Sequence, residues 1–187
     1  YLLESTKSVF TWFYYTGHCS REGKASWVIR LRTIPWLPDE QGNFKRPSEL
    51  FDSDLKKVLG EEGFSFLHPD ISLESSQKWV QLLDIRMTAS PKDVIQALKT
   101  KLDHGANQEE IKPIYEWLQR TILRSGTENL KEGIREAFDR EKLILVPEKG
   151  RFSRQEVCWD DPTGLMPALK PYWADFHRFF CEFLKVA

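Results

Sequence analysis

Length, composition and charge exclude several classes of protein. The chain has 187 residues, which fits one globular domain or two very small ones. Hydrophobic residues make up 41 % of it and charged residues 29 %, a mixture that excludes a wholly disordered chain. Its 27 basic and 28 acidic residues give a formal net charge of -1, so the molecule as a whole does not attract nucleic acid or anionic lipid. No apolar run approaches the length of a membrane span, and we expect no membrane contact.

The cysteines and histidines are few and scattered. Cys19, Cys158 and Cys181 are odd in number and form no CxxC pair, which disfavours both a disulfide framework and a structural zinc site. We therefore expect no metal, no cofactor, no catalytic residue and a reducing, cytoplasmic compartment. Because the chain begins with Tyr1 rather than Met, we interpret it as a piece excised from a larger multidomain protein.

The first third of the chain is predicted to hold short elements. Residues 5–16 are apolar and aromatic and fit a helix or a strand, and residues 26–34 fit either as well. A hairpin is predicted over about 36–50, because Gly42-Asn43 between apolar flanks indicates a tight turn. A short helix is expected at about 53–59.

Four better-defined helices follow. They are predicted to begin at Ser72, Ser90, Asn107 and Thr127, all residue types that cap helices, and apolar residues recur at helical spacing after each. Pro113 lies inside the third helix and predicts a kink there or a later start.

The end of the chain combines a second hairpin with an aromatic helix. Leu143 to Val146 is the clearest strand, and Gly150 turns it back to give a hairpin over about 143–159. The last helix begins near Pro171 and carries an aromatic stripe that we expect to be core. The sequence thus predicts an α+β, mainly α fold: a single helical domain over 1–187 with two short hairpins and a candidate sub-boundary near 60–70.

The two hairpins share a pattern: aliphatic-Pro, then Gly-x-Phe-x-Arg, then Glu-aliphatic. Gly suits the turn, Pro suits the end of a strand, and we expect each Phe to face the core. Turn chemistry alone could produce this likeness, or the chain could be cut from a tandem array. The matching residues are Pro38, Gly42, Phe44, Arg46 and Glu49 in the first hairpin, and Pro147, Gly150, Phe152, Arg154 and Glu156 in the second.

Several short motifs over residues 27–187 resemble sacsin-like proteins, which join a GHKL (Hsp90-type) ATPase region to long helical and hairpin regions. Pro35-Trp36-Leu37-Pro38 with Gly42 and Pro47-Ser48-Glu49-Leu50-Phe51 looks like their "pWlP…G…PseLF" segment. Asp84 departs from the pattern, which has Gly there. The other similar stretches are Leu83-Asp84-Ile85, Ser90 to Leu98, Ile114 to Leu118, and Val146-Pro147 with Trp159.

The resemblance implies a non-catalytic module. The sequence has no Glu-x-x-x-Asn-x-x-Asp helix, no Asp-x-Gly-x-Gly loop and no Gly-x-x-x-x-Gly-Lys-Ser/Thr loop, so nucleotide hydrolysis would reside elsewhere in the parent. The implied function is interaction or scaffolding within a chaperone-type or defence-related ATPase. The partner would be a polypeptide or other domains of the parent. Trp12 and Trp36 are candidate interaction residues, because aromatic side chains anchor interfaces.

Two alternatives from other classes stay open. Two helices followed by the hairpin at 143–159 is the order of a winged helix, and Lys149, Arg151 and Arg154 would then face nucleic acid. Pro38-Asp39 followed by Asp54-Leu55-Lys56 formally matches a metal-dependent nuclease pattern. The oligomeric state is not indicated.

Overall fold

The computed structural model describes residues 26–71, 83–124 and 127–187, with side chains from residue 29 onward. The segment predicted over 5–16, with Trp12, and nearly all of the helix predicted from Ser72 lie outside the described residues. The fold is α+β and mainly α, as predicted. Contacts divide the chain into two compact units: the described parts of 1–56 and 63–89 form the first, and 57–62 with the described parts of 90–187 form the second.

The first unit consists of short elements. The segment that fitted helix or strand is a helix, α1 (Ser26–Thr33). The predicted hairpin forms from β1 (Leu37–Pro38) and β2 (Phe44–Lys45), which pair antiparallel. A 3-10 turn (Pro47–Glu49), strand β3 (Leu50–Phe51), a 3-10 turn (Ser53–Leu55), helix α2 (Lys56–Leu59), which crosses into the second unit, and strand β4 (Ser65–Phe66) follow.

One parallel pairing in this unit was not predicted. Strand β3 pairs with β4, with Leu50 opposite Ser65 and Phe51 opposite Phe66. The residues that meet in the core come from the hairpin, β3 and the segments around 67–71 and 83–85, and Leu31 and Trp36 pack against them. The buried cluster comprises Leu37, Leu50, Leu67, Ile71, Leu83 and Ile85.

Three long helices build the second unit, and their starts are the predicted ones. Ser90 caps α3 (Pro91–Asp103): its Oγ accepts the N–H of Asp93 at 3.3 Å, and its own N–H donates to Asp93 Oδ2 at 2.9 Å. Asn107 Oδ1 accepts the N–H of Glu109 at 2.9 Å at the start of α4 (Gln108–Arg124). Because α4 begins before Pro113, the later start was wrong.

The rest of this unit combines the second hairpin with an interrupted helix. Helix α5 (Glu128–Arg140) leads into β5 (Ile144–Val146) and β6 (Gly150–Phe152), which pair antiparallel as predicted. A 3-10 turn (Arg154–Glu156), helix α6 (Lys170–Trp173), a 3-10 turn (Ala174–Phe176) and a π-helix (Arg178–Phe183) complete the chain. None of the helices in the described segments is long and apolar enough to cross a membrane.

Tyr115 lies at the centre of the aromatic core of this unit. Its ring is 4.9 Å from that of Trp173 and 5.4 Å from that of Phe180, both edge-on. Its hydroxyl donates to Leu143 O at 2.8 Å and accepts the N–H of Leu145 at 3.1 Å, which joins α4 to the hairpin. Burial raises the pKa of Tyr115 well above its ordinary value, so the hydroxyl stays a donor. The predicted aromatic stripe is therefore core.

The two hairpins have the same register, but the sequence match is displaced by one residue. Leu37 opposite Lys45 corresponds to Ile144 opposite Phe152, and each hairpin has a three-residue loop. In this register Phe44 corresponds to Arg151. The expectation that both phenylalanines face the core is wrong for Phe44, which is 47 % exposed, while Phe152 is half-buried.

The likeness between the hairpins extends to the segments after them. Glu49 Oε2 accepts the N–H of Arg46 at 2.9 Å, and Glu156 Oε2 accepts that of Ser153 at 2.8 Å, each closing a 3-10 turn. Extended residues then pair in parallel with a later segment, as β3 does with β4 and as Cys158 does with Ala168. In both units a helix precedes the hairpin and contacts the 3-10 turn. The repeat is thus one of elements as well as of residues.

Candidate functional site

A groove of about 300 Å³ opens on the second unit between the end of α4, the start of α5 and the π-helix. Its floor is apolar. Ile122 and Phe179 are buried at its base, with Phe183 beside them, and the ring of Phe183 stacks at 6.0 Å from that of Phe179. Leu123 also lines the groove and is 55 % exposed. The floor residues are already largely buried, so the apolar surface open to another molecule is mainly that of Leu123 at the edge.

The π-helix supplies one wall of this groove. The N–H of Leu184 bonds to Phe179 O at 2.9 Å, five residues back, which is the wider π spacing. Arg178, Phe179, Glu182 and Phe183 of this helix line the groove. π-helical turns occur frequently at functional sites, which makes this wall the first place to look for function.

Basic side chains form the rim. Arg135 is held in place: its guanidinium lies 4.8 Å from the centre of the Phe183 ring, and its Nε donates to Phe183 O at 3.1 Å. Its Nη1 also lies 3.1 Å from Glu128 Oε1, and Lys131 Nζ lies 3.7 Å from the other oxygen of that carboxylate. Arg135 is therefore a fixed positive charge at the edge of an apolar floor.

Arg178 lies at the start of the π-helix and is held more loosely. Its Nε is 3.5 Å from Glu182 Oε2, and the two side chains are 64 % and 58 % exposed. An exposed pair of this kind is worth only about 0–1 kcal/mol, so an incoming carboxylate can compete for Arg178. Of the described side chains, three basic ones and one carboxylate, that of Glu182, line the groove.

Gln119 contributes an orphaned acceptor. Its Oε1 is buried and has no donor among the described residues, although the side chain lines the groove. A buried carbonyl oxygen without a donor costs about 1–3 kcal/mol.

The basic hairpin predicted to face nucleic acid is largely paired with carboxylates. Arg151 pairs with Asp103, and Arg154 Nε lies 2.5 Å from Asp139 Oδ1. Arg154 also donates to Leu184 O at 2.7 Å, and Lys149 is exposed. The three residues do lie on or next to one hairpin, but two of the three charges are locally neutralised.

The other sequence-predicted residues have structural contacts. Trp36 is half-buried against the core of the first unit, and its Nε1 donates to Leu31 O at 2.8 Å. The buried Asp39 accepts the N–H groups of Gln41 at 3.0 Å and Asn43 at 2.8 Å, so the carboxylate of the nuclease pattern caps its own turn. Lys56 of the same pattern lies 2.7 Å from Glu40.

The described cysteines are not activated as thiolates, and the described acidic groups do not gather as metal ligands. Burial raises the pKa of the Cys158 and Cys181 thiols, which keeps them protonated and slow to react. Among the segments that the structure describes, no three His, Cys, Asp or Glu side chains gather as metal ligands would.

Sequence analysis missed the groove, because its lining comes from three separate elements. The one signal that bore on it was the aromatic stripe, which we assigned to the core. Compared with protein-family models, with curated proteins and with solved structures, the chain matches none.

Proposed function

We propose that this chain is a non-enzymatic interaction module that binds a polypeptide segment, working as a scaffolding part of a sacsin-like, chaperone-type or defence-related ATPase. The observation that carries the proposal is the groove beside the π-helix, with an apolar floor at Ile122 and Phe179 and a rim that includes Arg135 and Arg178. Aromatic side chains and arginine are the types that dominate binding energy at protein interfaces. A cytoplasmic location stays a prediction from the cysteine pattern.

One backbone feature supports the sacsin-like part of the proposal. Asp84 stands where the family pattern has Gly, and its φ of +68° lies in the left-handed region that favours glycine. The backbone at this position is therefore in a conformation that glycine favours, although the residue itself is Asp.

The test is selection of binding peptides on the whole 187-residue chain from a library of random heptapeptides displayed on phage. Affinities of the selected peptides are then measured by fluorescence anisotropy for the wild type, Leu123→Glu and Leu165→Glu. Both leucines are exposed, at 55 % and 86 %, but only Leu123 lines the groove. Circular dichroism checks that both variants fold.

We expect Leu123→Glu to weaken binding about tenfold or more, because a carboxylate would occupy the apolar edge of the groove. Leu165→Glu should bind as the wild type does. If the wild type selects no peptide, or if Leu123→Glu binds the selected peptides unchanged, the proposal is wrong.

The nucleic-acid-binding alternative rests on the hairpin at 143–159. Because Arg151 and Arg154 are paired with carboxylates, we expect only weak binding of a duplex at low salt. Tight binding of a 20-base-pair duplex that is lost in Lys149→Glu and in high salt would favour this alternative.

A further inference from the structure

We infer that the groove recognises a peptide segment in which an acidic side chain lies directly beside a bulky apolar one. The inference rests on the proposed function and names the chemistry of its partner. It combines two properties of the groove: its charge and its apolar lining.

The charge of the groove favours an acidic residue in the partner. Among the residues that the structure describes, Lys131, Arg135 and Arg178 line the groove against one carboxylate, that of Glu182, and the neighbouring Glu128 is shared between Lys131 and Arg135. One positive charge is therefore left over, and a peptide carboxylate would balance it. A basic segment would instead meet three like charges, which costs binding energy.

Arg135 and Arg178 would play different parts. Arg135 is fixed by Phe183 O, the Phe183 ring and Glu128, so it supplies a standing charge. Arg178, more exposed and 3.5 Å from Glu182, can turn toward a ligand and bind its carboxylate through two N–H groups. We therefore expect Arg178 to set the preference for an acidic residue.

The volume and apolar lining of the groove favour an apolar residue in the partner. A volume of about 300 Å³ is at the small end of ligand pockets and accommodates a large apolar side chain. Leu123 would lose its exposure to water on binding, which favours burial of an apolar partner.

The same floor disfavours a nucleic-acid strand. Bases bind such surfaces by stacking on exposed aromatic faces. Phe179 is 1 % exposed and Phe183 7 %, so neither presents a face on which a base could stack.

The experiment repeats the heptapeptide selection on the whole chain with the wild type, Arg178→Glu and Arg140→Glu. Arg140 is a matched control, because it too is exposed and pairs with a glutamate four residues away, Glu136, but lies outside the groove lining. The readout is the residue preference of the enriched peptides, followed by anisotropy on one selected peptide.

We expect wild-type peptides to carry Asp or Glu next to Leu, Ile, Met or Phe, and Arg178→Glu to bind them about tenfold or more weakly. Selection on Arg178→Glu should shift toward Lys or Arg at the same position, while Arg140→Glu keeps the acidic preference.

The outcomes separate the two proposals. Enriched peptides that depend on Leu123 but lack an acidic residue would overturn this inference and leave the proposed function standing. An acidic preference that persists in Arg178→Glu would also overturn it. If the wild-type chain enriches no peptide, or binds only the duplex DNA probe, the proposed function itself is wrong.

Discussion

Asp84 has a backbone conformation that favours glycine rather than a residue with a side chain. It follows Leu83 directly, is exposed, and has a φ of +68°. A side chain other than glycine in this region strains the backbone, although Asp and Asn tolerate it better than most residues. The strain is a local cost that the surrounding first unit sustains.

Replacing Asp84 by Gly should relieve this strain. We expect Asp84→Gly to raise the free energy of unfolding by about 0.5–1 kcal/mol, less than the full strain because glycine also adds freedom to the unfolded chain. Urea unfolding measures the change. Asp70→Gly is the control: Asp70 is also exposed in the first unit and its φ is not positive, so the same substitution should destabilise. Destabilisation by both substitutions would contradict the argument.

Tyr115 is a residue whose polar atom matters as much as its ring. Its hydroxyl satisfies both Leu143 O and the Leu145 N–H, and removing it leaves both buried groups without that partner. We expect Tyr115→Phe to lower the unfolding free energy by about 1–3 kcal/mol. Tyr172→Phe should change it by about 0.5 kcal/mol at most, because the Tyr172 hydroxyl has no hydrogen bond within the described segments. Equal effects of the two variants in thermal unfolding would refute the role of the hydroxyl.

At the scale of elements, the sequence predicted those with a local chemical signal. Ser90 and Asn107 predicted the starts of their helices, because the side-chain oxygen of a capping residue accepts a free N–H group of the first turn. The hairpin turns were also predicted from a local signal, the glycines at Gly42 and Gly150. The parallel pair of β3 and β4 was missed, because two-residue strands carry no periodicity and their partners are distant in the chain.

The displaced repeat has a similar explanation. The shared sequence pattern aligns Gly42 with Gly150, but the register of a hairpin depends on loop length and hydrogen bonds. Gly42, with positive φ, is the third loop residue of the first hairpin; in the second hairpin positive φ occurs at Glu148, the second loop residue, and at Gly150, which lies in the strand after the loop. Identical glycines therefore occupy different places, whereas Glu49 and Glu156 close the same kind of turn in both.

The capped 3-10 turn after the second hairpin should make stability depend on pH. The N–H of Ser153, the Lys142 ammonium and the Ser153 hydroxyl lower the pKa of Glu156 to about 2, from an ordinary value of 4.5. A lowered folded pKa means that the contribution of Glu156 is complete above about pH 4.5 and is lost as the pH falls toward 2.

The test compares the wild type with Glu156→Gln by urea unfolding at pH 7 and near pH 2. We expect the wild type to be the more stable at pH 7 and the difference to shrink at low pH. The same difference at both pH values would show that the carboxylate charge is not what stabilises the turn.

At the scale of the whole molecule, the groove could not be predicted, although most of its elements could. Helical spacing placed Ile122 on the inner face of α4, but nothing local indicates that the last helix widens into a π-helix beside it. In the sequence, no pattern distinguishes Arg135 and Arg178 from other charged surface residues. Their meeting around Phe179 and Phe183 is a tertiary property that no single pattern encodes.

The sequence predicted one domain over 1–187, whereas contacts define two compact units. Measuring the stability of each unit separately tests whether the two unfold together. Leu50 is fully buried in the core of the first unit. Leu50→Ala should cost that core about 2–5 kcal/mol. If each unit depends on its own core, amide hydrogen exchange should quicken for Leu37 and Leu67 and stay unchanged for Ile114 and Leu118 in α4.

The reciprocal variant is Phe138→Ala, which removes a fully buried ring from the second unit and should have the opposite pattern. Parallel loss of protection in both units with either variant would instead mean one cooperative domain, as the sequence predicts. The distinction bears on the proposed function. A groove held by an independently stable unit would keep binding peptides when the first unit is destabilised, so Leu50→Ala should leave peptide affinity unchanged.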